Sequence, residues 1–211
     1  MAIIGINGKI GSGKDTVANI IKELSPEYGW ENKKFAGKLK TIASILTGIP
    51  VEKFEIQQFK TTKLGKEWGE MTVRDLLQKL GTEAMRDNLH EDVWINSLWA
   101  DYKSYGGYPI YGTTENNERV FLKYASLYPN WIITDTRFVN EADSIKQRNG
   151  ILIRIKRDSG NTVGNSHPSE TALDDYDKFD YEIDNNGTFH ELKEKVREIL
   201  IKTGYYFHNE I

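Results

Sequence analysis

One segment near the start of the chain, AIIGINGKIGSGKDTVANII at residues 2–21, limits the fold more strongly than any other. Its first five residues form a continuous apolar run, which predicts a buried strand. From Lys14 onward the apolar positions follow helical spacing, and this pattern ends at Ser25-Pro26. A buried strand that leads through a glycine-rich loop into an amphipathic helix is typical of the opening of an α/β domain.

The loop between that strand and helix carries Gly8, Gly13 and Lys14 in the pattern G-x-x-x-x-G-K. In this pattern backbone amides converge on phosphate oxygens while the lysine reaches the outer phosphates. A purely structural glycine-rich turn is the competing interpretation, but the flanking strand and helix favour a nucleotide site. Asp15 stands where such loops usually have Ser or Thr, so we expect its carboxylate to bind Mg²⁺ through water or to contact the acceptor. Thr16, one residue later, can still bond a phosphate.

A second candidate element is WIITDTR at residues 131–137, an apolar run that stops at Asp135. A turn or cap residue is the competing interpretation for an Asp at a strand end. Because a phosphate-binding loop is also present, we favour a functional interpretation, in which Asp135 faces the metal or the acceptor and Arg137 binds a phosphate. Phosphoryl transfer needs cations on both phosphate groups, and Arg74 and Arg157 are further candidates for that task.

The composition excludes several other classes of protein. With 211 residues and 38% hydrophobic content, the chain is long enough for a sizeable core, and we expect one folded domain. A net charge of −3 argues against a general nucleic-acid or membrane binder, and no apolar run approaches the about 20 residues of a membrane helix. The absence of Cys excludes disulfides and thiolate metal sites. The opening apolar run is too short for a targeting leader, so we expect a soluble cytoplasmic protein.

The rest of the chain alternates helices and strands around segments that interrupt the pattern. Helix starts are predicted by two capping boxes, Thr72 with Asp75 and Thr188 with Glu191. Strands are predicted at residues 131–135, 151–157 and 181–184, and helices at 37–46, 92–102 and 139–148. Three segments interrupt this pattern. Residues 47–70 allow no assignment, and residues 105–130 are expected to be loop-like, as a flap or a partly disordered stretch. Residues 158–176 are a candidate for a lid.

Taken in order along the chain, these motifs resemble one family: the deoxynucleoside monophosphate kinases of the T-even phages and their relatives, within the P-loop nucleoside monophosphate kinase group. The matching blocks are SGKDT at 12–16, FAGKLK at 35–40, VRDLLQKLGTEAMRDN at 73–88, VW at 93–94, DTRFVNEAD at 135–143 and IDNNGTFHEL at 183–192. Asp15 is the residue that this family carries in its loop. One departure lies just ahead of the loop serine, where the phage enzymes have basic residues: here the positions are Ile10 and Gly11, and Lys9 is the nearest charge.

The resemblance implies a three-layer α/β/α P-loop NTPase fold with a parallel sheet of about five strands. It implies a single kinase domain over residues 1–211, with a helical acceptor-side insertion at about 50–128 and a lid at about 158–176. The reaction would be ATP + dNMP → ADP + dNDP with Mg²⁺, which supplies DNA precursors in the cytoplasm of a cell or an infected host. The partner would be a small-molecule deoxynucleotide, with no nucleic acid polymer and no membrane, and a homodimer stays open as the assembly.

The resemblance also implies which residues bind each substrate. Residues expected to bind ATP are Gly11, Ser12, Gly13, Lys14, Asp15, Thr16, Arg157 and the turn Asn185, Asn186 and Gly187, which would lie near the donor adenine. Residues expected to bind the acceptor are Lys9, Arg74, Trp94, Asp135 and Arg137, with Trp94 stacking on the base. The catalytic residues among them would be Lys14, Asp15, Asp135 and Arg137, with Asp15 holding the metal through water.

Two other functions stay open at this point. The same scaffold serves kinases of other small acceptors, such as phosphomevalonate or dephospho-coenzyme A kinase, and fold alone does not separate them. A nucleotide-binding switch or interaction module without catalysis is the alternative from a different class. An assay of ATP turnover with a panel of candidate phosphate acceptors discriminates among these three functions.

Overall fold

The computed structural model describes residues 2–158 and 171–206. The chain divides into two compact units, which we call the sheet unit (Met1–Lys33 with Asp101–Ile211) and the helical unit (Lys34–Ala100). Each unit has a hydrophobic core cluster of its own. The two are therefore described separately.

A five-stranded parallel sheet forms the centre of the sheet unit. Its strands are β1 (Ile3–Gly8), β2 (Glu31–Lys33), β5 (Trp131–Ile133), β6 (Ile151–Lys156) and β7 (Tyr181–Asp184). The strands β3 (Gly106–Thr113) and β4 (Arg119–Leu127) lie outside it. They are arranged in the order β2-β5-β1-β6-β7, with β1 hydrogen-bonded in parallel to both β5 and β6. A central strand is covered on both faces, which explains why β1 begins with an unbroken apolar run from Ile3 to Ile6. The predicted α/β fold with about five parallel strands is confirmed.

Helices cover both faces of this sheet. They are α1 (Lys14–Leu24), α5 (Val139–Lys146) and α6 (Phe189–Lys202). The first and last share one core cluster with Ile4 and Ile6 of β1. On the opposite face α5 packs against Gly5, where an added β-carbon would lie 2.6 Å from Ile145 Cδ1. A side chain at Gly5 would therefore push α5 away from the sheet.

Residues 105–130 form a β-hairpin, so the expectation of a loop-like segment is wrong. The strands are β3 (Gly106–Thr113) and β4 (Arg119–Leu127), paired antiparallel with an irregularity between Ile110 and Tyr111. No residue of either strand is buried. The usual alternation of buried apolar and exposed polar residues is therefore missing. The glycines and Pro109 of β3 are also uncommon in strands, so they make this strand harder to predict from the sequence.

The helical unit is built from three α-helices, a π-helical segment and short 3₁₀ turns. Its α-helices are α2 (Gly37–Thr47), α3 (Val73–Gln78) and α4 (Val93–Trp99), and the π-helical segment is Lys79–Asp87. The capping box of Thr72 with Asp75 is confirmed at the start of α3. Three 3₁₀ turns, Val51–Glu55, Gln58–Thr61 and Lys66–Trp68, occupy the segment that the sequence left unassigned. Its core contains Ala43, Phe54, Leu64, Val73 and Leu76.

The helical unit spans Lys34–Ala100, whereas the predicted insertion spans 50–128 and includes the hairpin of the other unit. Most of the predicted lid, residues 159–170, lies outside the described residues. The lid and the single-domain assignment both stay predictions. Across residues 2–158 and 171–206, no helix has the length and apolar character needed to cross a membrane.

Candidate functional site

The glycine-rich loop connects the end of β1 at Gly8 with the start of α1 at Lys14. Gly11 and Gly13 adopt φ angles of 78° and 100°, which residues other than glycine rarely adopt. Gly8 is restricted for a different reason, because a β-carbon there would collide with the Ser12 hydroxyl. The loop conformation thus requires glycine at the positions that the motif supplies.

The Lys14 side chain folds back over this loop. Its ammonium Nζ donates to the carbonyl oxygens of Gly8 at 2.5 Å and of Lys9 at 2.9 Å. The positive charge is thereby held at the N-terminal end of α1, where backbone amides and the helix dipole also favour an anion. The geometry fits a phosphate-binding loop.

Asp15 and Thr16 occupy the first turn of α1, directly after Lys14. Asp15 is exposed and Thr16 is half-buried. Within the described ranges, no group of three or more His, Asp or Glu side chains is placed to hold a metal ion by itself. Mg²⁺ commonly uses one or two protein oxygens together with substrate phosphates and water, so an exposed carboxylate beside the loop fits its ligand chemistry.

Most of the other predicted site residues lie where the parallel strands end. Lys9 follows β1, Asp135 and Arg137 follow β5, Arg157 follows β6, and Asn185 follows β7. Because ligands of open α/β sheets bind outside the carboxyl ends of the strands, this edge is the expected location of a site. Five residues widely separated in sequence are thus collected at one edge of the sheet.

Three of these residues, Lys9, Arg137 and Arg157, line a cavity of about 410 Å³ next to the loop. Other charged side chains on its wall are Arg154, Lys156, Asp158 and Asp174. Five cationic and two acidic side chains therefore face this space, which favours an anionic ligand. Lys9 also lies 4.0 Å from Asp174, an exposed and weak ion pair that a phosphate could replace.

Arg154 has a structural task in this wall. Its guanidinium donates to the carbonyl oxygens of Leu173 and Tyr176 and lies 4.1 Å from the ring centre of Phe179. Burial raises the pKa of the Tyr176 hydroxyl, and its hydrogen bond to Asp143 raises it further, so this hydroxyl remains a donor. Arg154 therefore connects the segment that follows the predicted lid to β6.

Asn185 connects the turn after β7 to the phosphate loop, a role that the sequence did not suggest. Its side-chain Nδ2 donates to the Ser12 carbonyl at 2.8 Å, and its backbone N–H donates to the Lys156 carbonyl at 2.8 Å. The residue is only 8% exposed. A β-carbon on Gly13 would lie 2.6 Å from the same Nδ2 atom. Asn185 therefore supports the loop directly, in addition to any contact with a nucleotide.

The neighbouring residues of this turn have different partners. The side chain of Asn186 accepts from the Asp158 backbone N–H at 2.8 Å and donates to the Asp184 carboxylate at 2.7 Å. Gly187 is exposed and precedes the confirmed capping box of Thr188 with Glu191. The turn is thus braced against the end of β6 on one side and begins α6 on the other.

The turn that carries Asp135 and Arg137 is held by two side chains that the sequence analysis did not single out. Asn7 Nδ2 donates to the Thr136 carbonyl at 2.9 Å. The Glu141 carboxylate, which is 3% exposed, accepts from the Arg137 backbone N–H at 2.8 Å. The sequence carries a signal for Glu141, because a Glu a few residues into a helix commonly caps its N-terminus.

The two remaining predicted residues, Arg74 and Trp94, belong to the helical unit. Arg74 lies half-buried in the first turn of α3. Trp94 is 5% exposed, and its indole N–H donates to the Gly81 carbonyl at 2.8 Å. These are the contacts of a core residue, so stacking of Trp94 on a base stays a prediction.

Comparison with known proteins places these features in one family. The sequence model for deoxynucleotide monophosphate kinases matches residues 28–196. A protein of Acanthamoeba polyphaga mimivirus assigned to the same activity is 29% identical, over 93% of this chain and 94% of its own length. The deoxynucleoside-5'-monophosphate kinase of Escherichia phage T5 is 25% identical, over 81% of this chain and 84% of its own. The deoxynucleotide monophosphate kinase of Enterobacteria phage T4 is 27% identical, over 61% of this chain and 45% of its own.

Proposed function

The chain belongs to the deoxynucleotide monophosphate kinase family, and from that premise we propose that it phosphorylates deoxynucleoside 5'-monophosphates with ATP. The observation that carries this proposal is the loop from Gly8 to Lys14, with the ammonium held over the loop carbonyls. Relatives named for the same reaction extend over most of the chain. The enzyme is therefore a phosphotransferase whose acceptor is itself a phosphate group.

In the proposed reaction an oxygen of the acceptor phosphate forms a bond to the γ-phosphorus of ATP. The bond between that phosphorus and the β–γ bridging oxygen breaks, and ADP leaves with the electron pair. A phosphate monoester has already lost most of its second proton at pH 7, since the corresponding pKa is about 6, so no general base is required. Catalysis then depends on positioning and on neutralising charge.

The residues of the donor side divide this work. Lys14 exchanges its two carbonyl partners for the outer phosphates, while the amides of the loop and the start of α1 bind the remaining oxygens. Bound Mg²⁺ would neutralise charge on the donor phosphates; Asp15 would hold it through water, and Thr16 would bond a phosphate. Arg157, on the wall of the 410 Å³ cavity, would add positive charge on the ATP side.

On the acceptor side, the proposal uses the residues around the turn after β5. Arg137 and Lys9 share the wall of the 410 Å³ cavity, so both can meet a phosphate placed there. Asp135, two residues earlier, would orient the acceptor or a metal-bound water. Arg74 and Trp94 complete the proposed acceptor set from the helical unit, Arg74 through the phosphate and Trp94 through the base.

The alternatives left open by the sequence are not favoured. The family model and the relatives are all named for deoxynucleotide monophosphates, and none of these names refers to phosphomevalonate or coenzyme A. The names also describe enzymes, which disfavours a binding module without catalysis. The proposed setting is the cytoplasm of a cell or an infected host, where free deoxynucleotides are converted to DNA precursors.

The proposal is tested by ADP release with Mg-ATP and each of dGMP, dTMP, dCMP and dAMP, together with their ribose counterparts. The blank is Lys14→Ala, which should retain the fold and lose about 100-fold or more in turnover, because it removes a charge that stabilises the transferring group. Turnover of a deoxynucleotide above that blank supports the proposal. Equal rates in the two proteins, or silence across the panel, would refute it.

A further inference from the structure

Two separate parts of the cavity wall are connected to the same helix, α5. Near the start of α5 the buried carboxylate of Glu141 accepts from the backbone N–H groups of Arg137 at 2.8 Å and Phe138 at 3.2 Å. Arg137 lines the cavity of about 410 Å³. Two positions further along α5, the Asp143 carboxylate accepts from the hydroxyl of Tyr176 at 2.9 Å. This second contact joins α5 to a part of the chain 33 positions away.

Tyr176 ends a short turn, residues 171–176, that forms another part of the cavity wall. Within this turn the Tyr176 backbone N–H donates to the Leu173 carbonyl at 3.1 Å. Leu173 and Asp174 both line the cavity, and the Asp174 carboxylate lies 4.0 Å from the ammonium of Lys9, a third lining residue. Because the turn is hydrogen-bonded internally, a displacement of Tyr176 also displaces the lining residues.

The position of Tyr176 is fixed from several sides. The residue is 9% exposed, and its ring centre lies 5.4 Å from that of Phe179. Its carbonyl oxygen accepts from the Arg154 guanidinium at 3.3 Å, which connects the turn to β6. The Lys178 ammonium also lies 3.4 Å from the Asp143 carboxylate, but it is exposed, and such ion pairs contribute little. Since hydrogen bonds to a carboxylate are stronger than neutral ones, the Tyr176 hydroxyl is the principal link between the turn and α5.

We propose that Asp143 and Tyr176 are positioning residues of the kinase, whose hydrogen bond sets the distance between the 171–176 turn and Arg137 and thereby the width of the space that receives the transferring phosphates. Neither Asp143 nor Tyr176 lines the cavity itself. The inference rests on the proposed function for the identity of the ligand. Phosphoryl transfer depends on holding charged groups in line, and a misplacement of about 1 Å that originates outside the reacting groups can cost about 100-fold in rate.

The distance between Asp174 and Lys9 explains why the width matters. Without the Tyr176 hydroxyl, the turn loses its link to α5, and Asp174 can move toward Lys9 or away from it. A carboxylate closer to Lys9 competes with the acceptor phosphate for its charge. A carboxylate further away opens the cavity to water, which weakens every electrostatic contact within it. Either displacement lowers kcat/KM for the acceptor.

Steady-state kinetics with Mg-ATP and a deoxynucleoside monophosphate test the proposal. Tyr176→Phe removes the donor hydroxyl and Asp143→Ala removes its acceptor, and each should lower kcat/KM for the acceptor about tenfold. The double variant should be no worse than either single variant, because all three lack the same hydrogen bond. Asp143→Asn keeps an oxygen that accepts from the hydroxyl and should remain within about twofold of the wild type.

The matched control is Tyr28→Phe, which also removes one hydroxyl from a tyrosine. That hydroxyl donates to the Gly204 carbonyl at 2.8 Å, and Tyr28 does not line the cavity. Tyr28→Phe should leave the kinetic constants unchanged even if it lowers the melting temperature as much as Tyr176→Phe does. Equal losses of activity in these two variants would reduce the effect to general destabilisation and overturn the proposal.

A titration with inorganic pyrophosphate provides a second measurement that needs no turnover. In a Lys14→Ala background the loop lacks its ammonium, while the cations of the cavity remain. Adding Tyr176→Phe to this background should raise the dissociation constant of pyrophosphate about threefold or more, as measured by calorimetry, because the cavity wall is displaced. Adding Tyr28→Phe should leave it unchanged.

The possible results separate this proposal from the proposed function. Wild-type rates in Tyr176→Phe would overturn the positioning role. An Asp143→Asn variant as impaired as Asp143→Ala would overturn it too, because the charge of Asp143 and not its hydrogen bond would then matter. A wild-type protein that turns over no deoxynucleotide would refute the proposed function instead, and an unchanged dissociation constant of pyrophosphate would then overturn the role of Tyr176.

Discussion

The contact between Asn185 and the phosphate loop leads to a prediction about ATP binding. In Asn185→Ala, the Ser12 carbonyl loses its 2.8 Å hydrogen bond in a place that is almost fully buried. A buried acceptor left without a partner costs about 1–2 kcal/mol, which corresponds to about a 5- to 30-fold change in an equilibrium constant. We expect kcat/KM for ATP to fall by that factor, while the KM of the acceptor at saturating ATP stays unchanged.

The nucleotide used as donor separates loop support from adenine contact. If Asn185 acts through the loop, the substitution should weaken ATP, GTP and inorganic tripolyphosphate by the same factor, because all three present phosphates. A contact with adenine would instead weaken ATP alone. Steady-state kinetics with the two nucleotides, and competition by tripolyphosphate, measure these factors.

The matched control for this prediction is Asn32→Ala, the same substitution at an exposed position of the edge strand β2. It should leave all kinetic constants within about twofold of the wild type, as expected for a surface substitution away from any special contact. The argument about Asn185 fails if Asn185→Ala behaves like this control. It also fails if the loss is restricted to adenine nucleotides.

Two predictions concern the helical unit. Burial raises the pKa of Glu55, but hydrogen bonds from Lys40 and Lys34 outweigh this effect and hold the pKa below its usual range. The ionised Glu55 carboxylate therefore stabilises the folded protein at any pH above the pKa that Glu55 has in the unfolded chain. This stabilisation is lost as the pH falls through the pKa that Glu55 has in the folded protein. Glu55→Gln should therefore lower the free energy of unfolding by about 1 kcal/mol at pH 7 and by less near pH 3.5. Thermal melts at the two pH values measure this difference. Equal effects at both would contradict the role given to the Glu55 carboxylate. Trp94→Phe should lower the free energy of unfolding by about 1–3 kcal/mol, because the Gly81 carbonyl loses its hydrogen-bond donor. If urea unfolding is unchanged while the KM of the acceptor rises, Trp94 binds the base of the acceptor and does not stabilise the core.

The parts of the fold that the sequence predicted are those with a local physical cause. The apolar run of β1, the glycine pattern of the loop and the helical spacing after Lys14 each act within a few residues, and the structure reproduces all three. Capping boxes are equally local, and both were located correctly. The parallel sheet of about five strands was expected from the family resemblance, whereas the order of its strands was not predicted.

The features that escaped prediction depend on distant partners or on missing burial. Asn185 meets Ser12 across 173 positions of sequence, and no short pattern reports that distance. Trp94 also has a partner that the sequence did not reveal, because its indole donates to a carbonyl of the π-helical segment, while its contact with a base stays a prediction. The hairpin was missed because exposed strands lack the alternation by which strands are recognised.

The position of β1 in the sheet has a consequence for how the protein forms during synthesis. Both neighbours of β1 in the sheet, β5 and β6, come from residues 131–133 and 151–156, so the strand has no partner until most of the chain is made. At about 5–20 residues per second, the interval is on the order of 10 s. The helical unit, whose contacts lie within Lys34–Ala100, can fold during that time. The phosphate loop is thus translated early and takes shape late, which leaves its apolar strand exposed to chaperones and to aggregation in the interval.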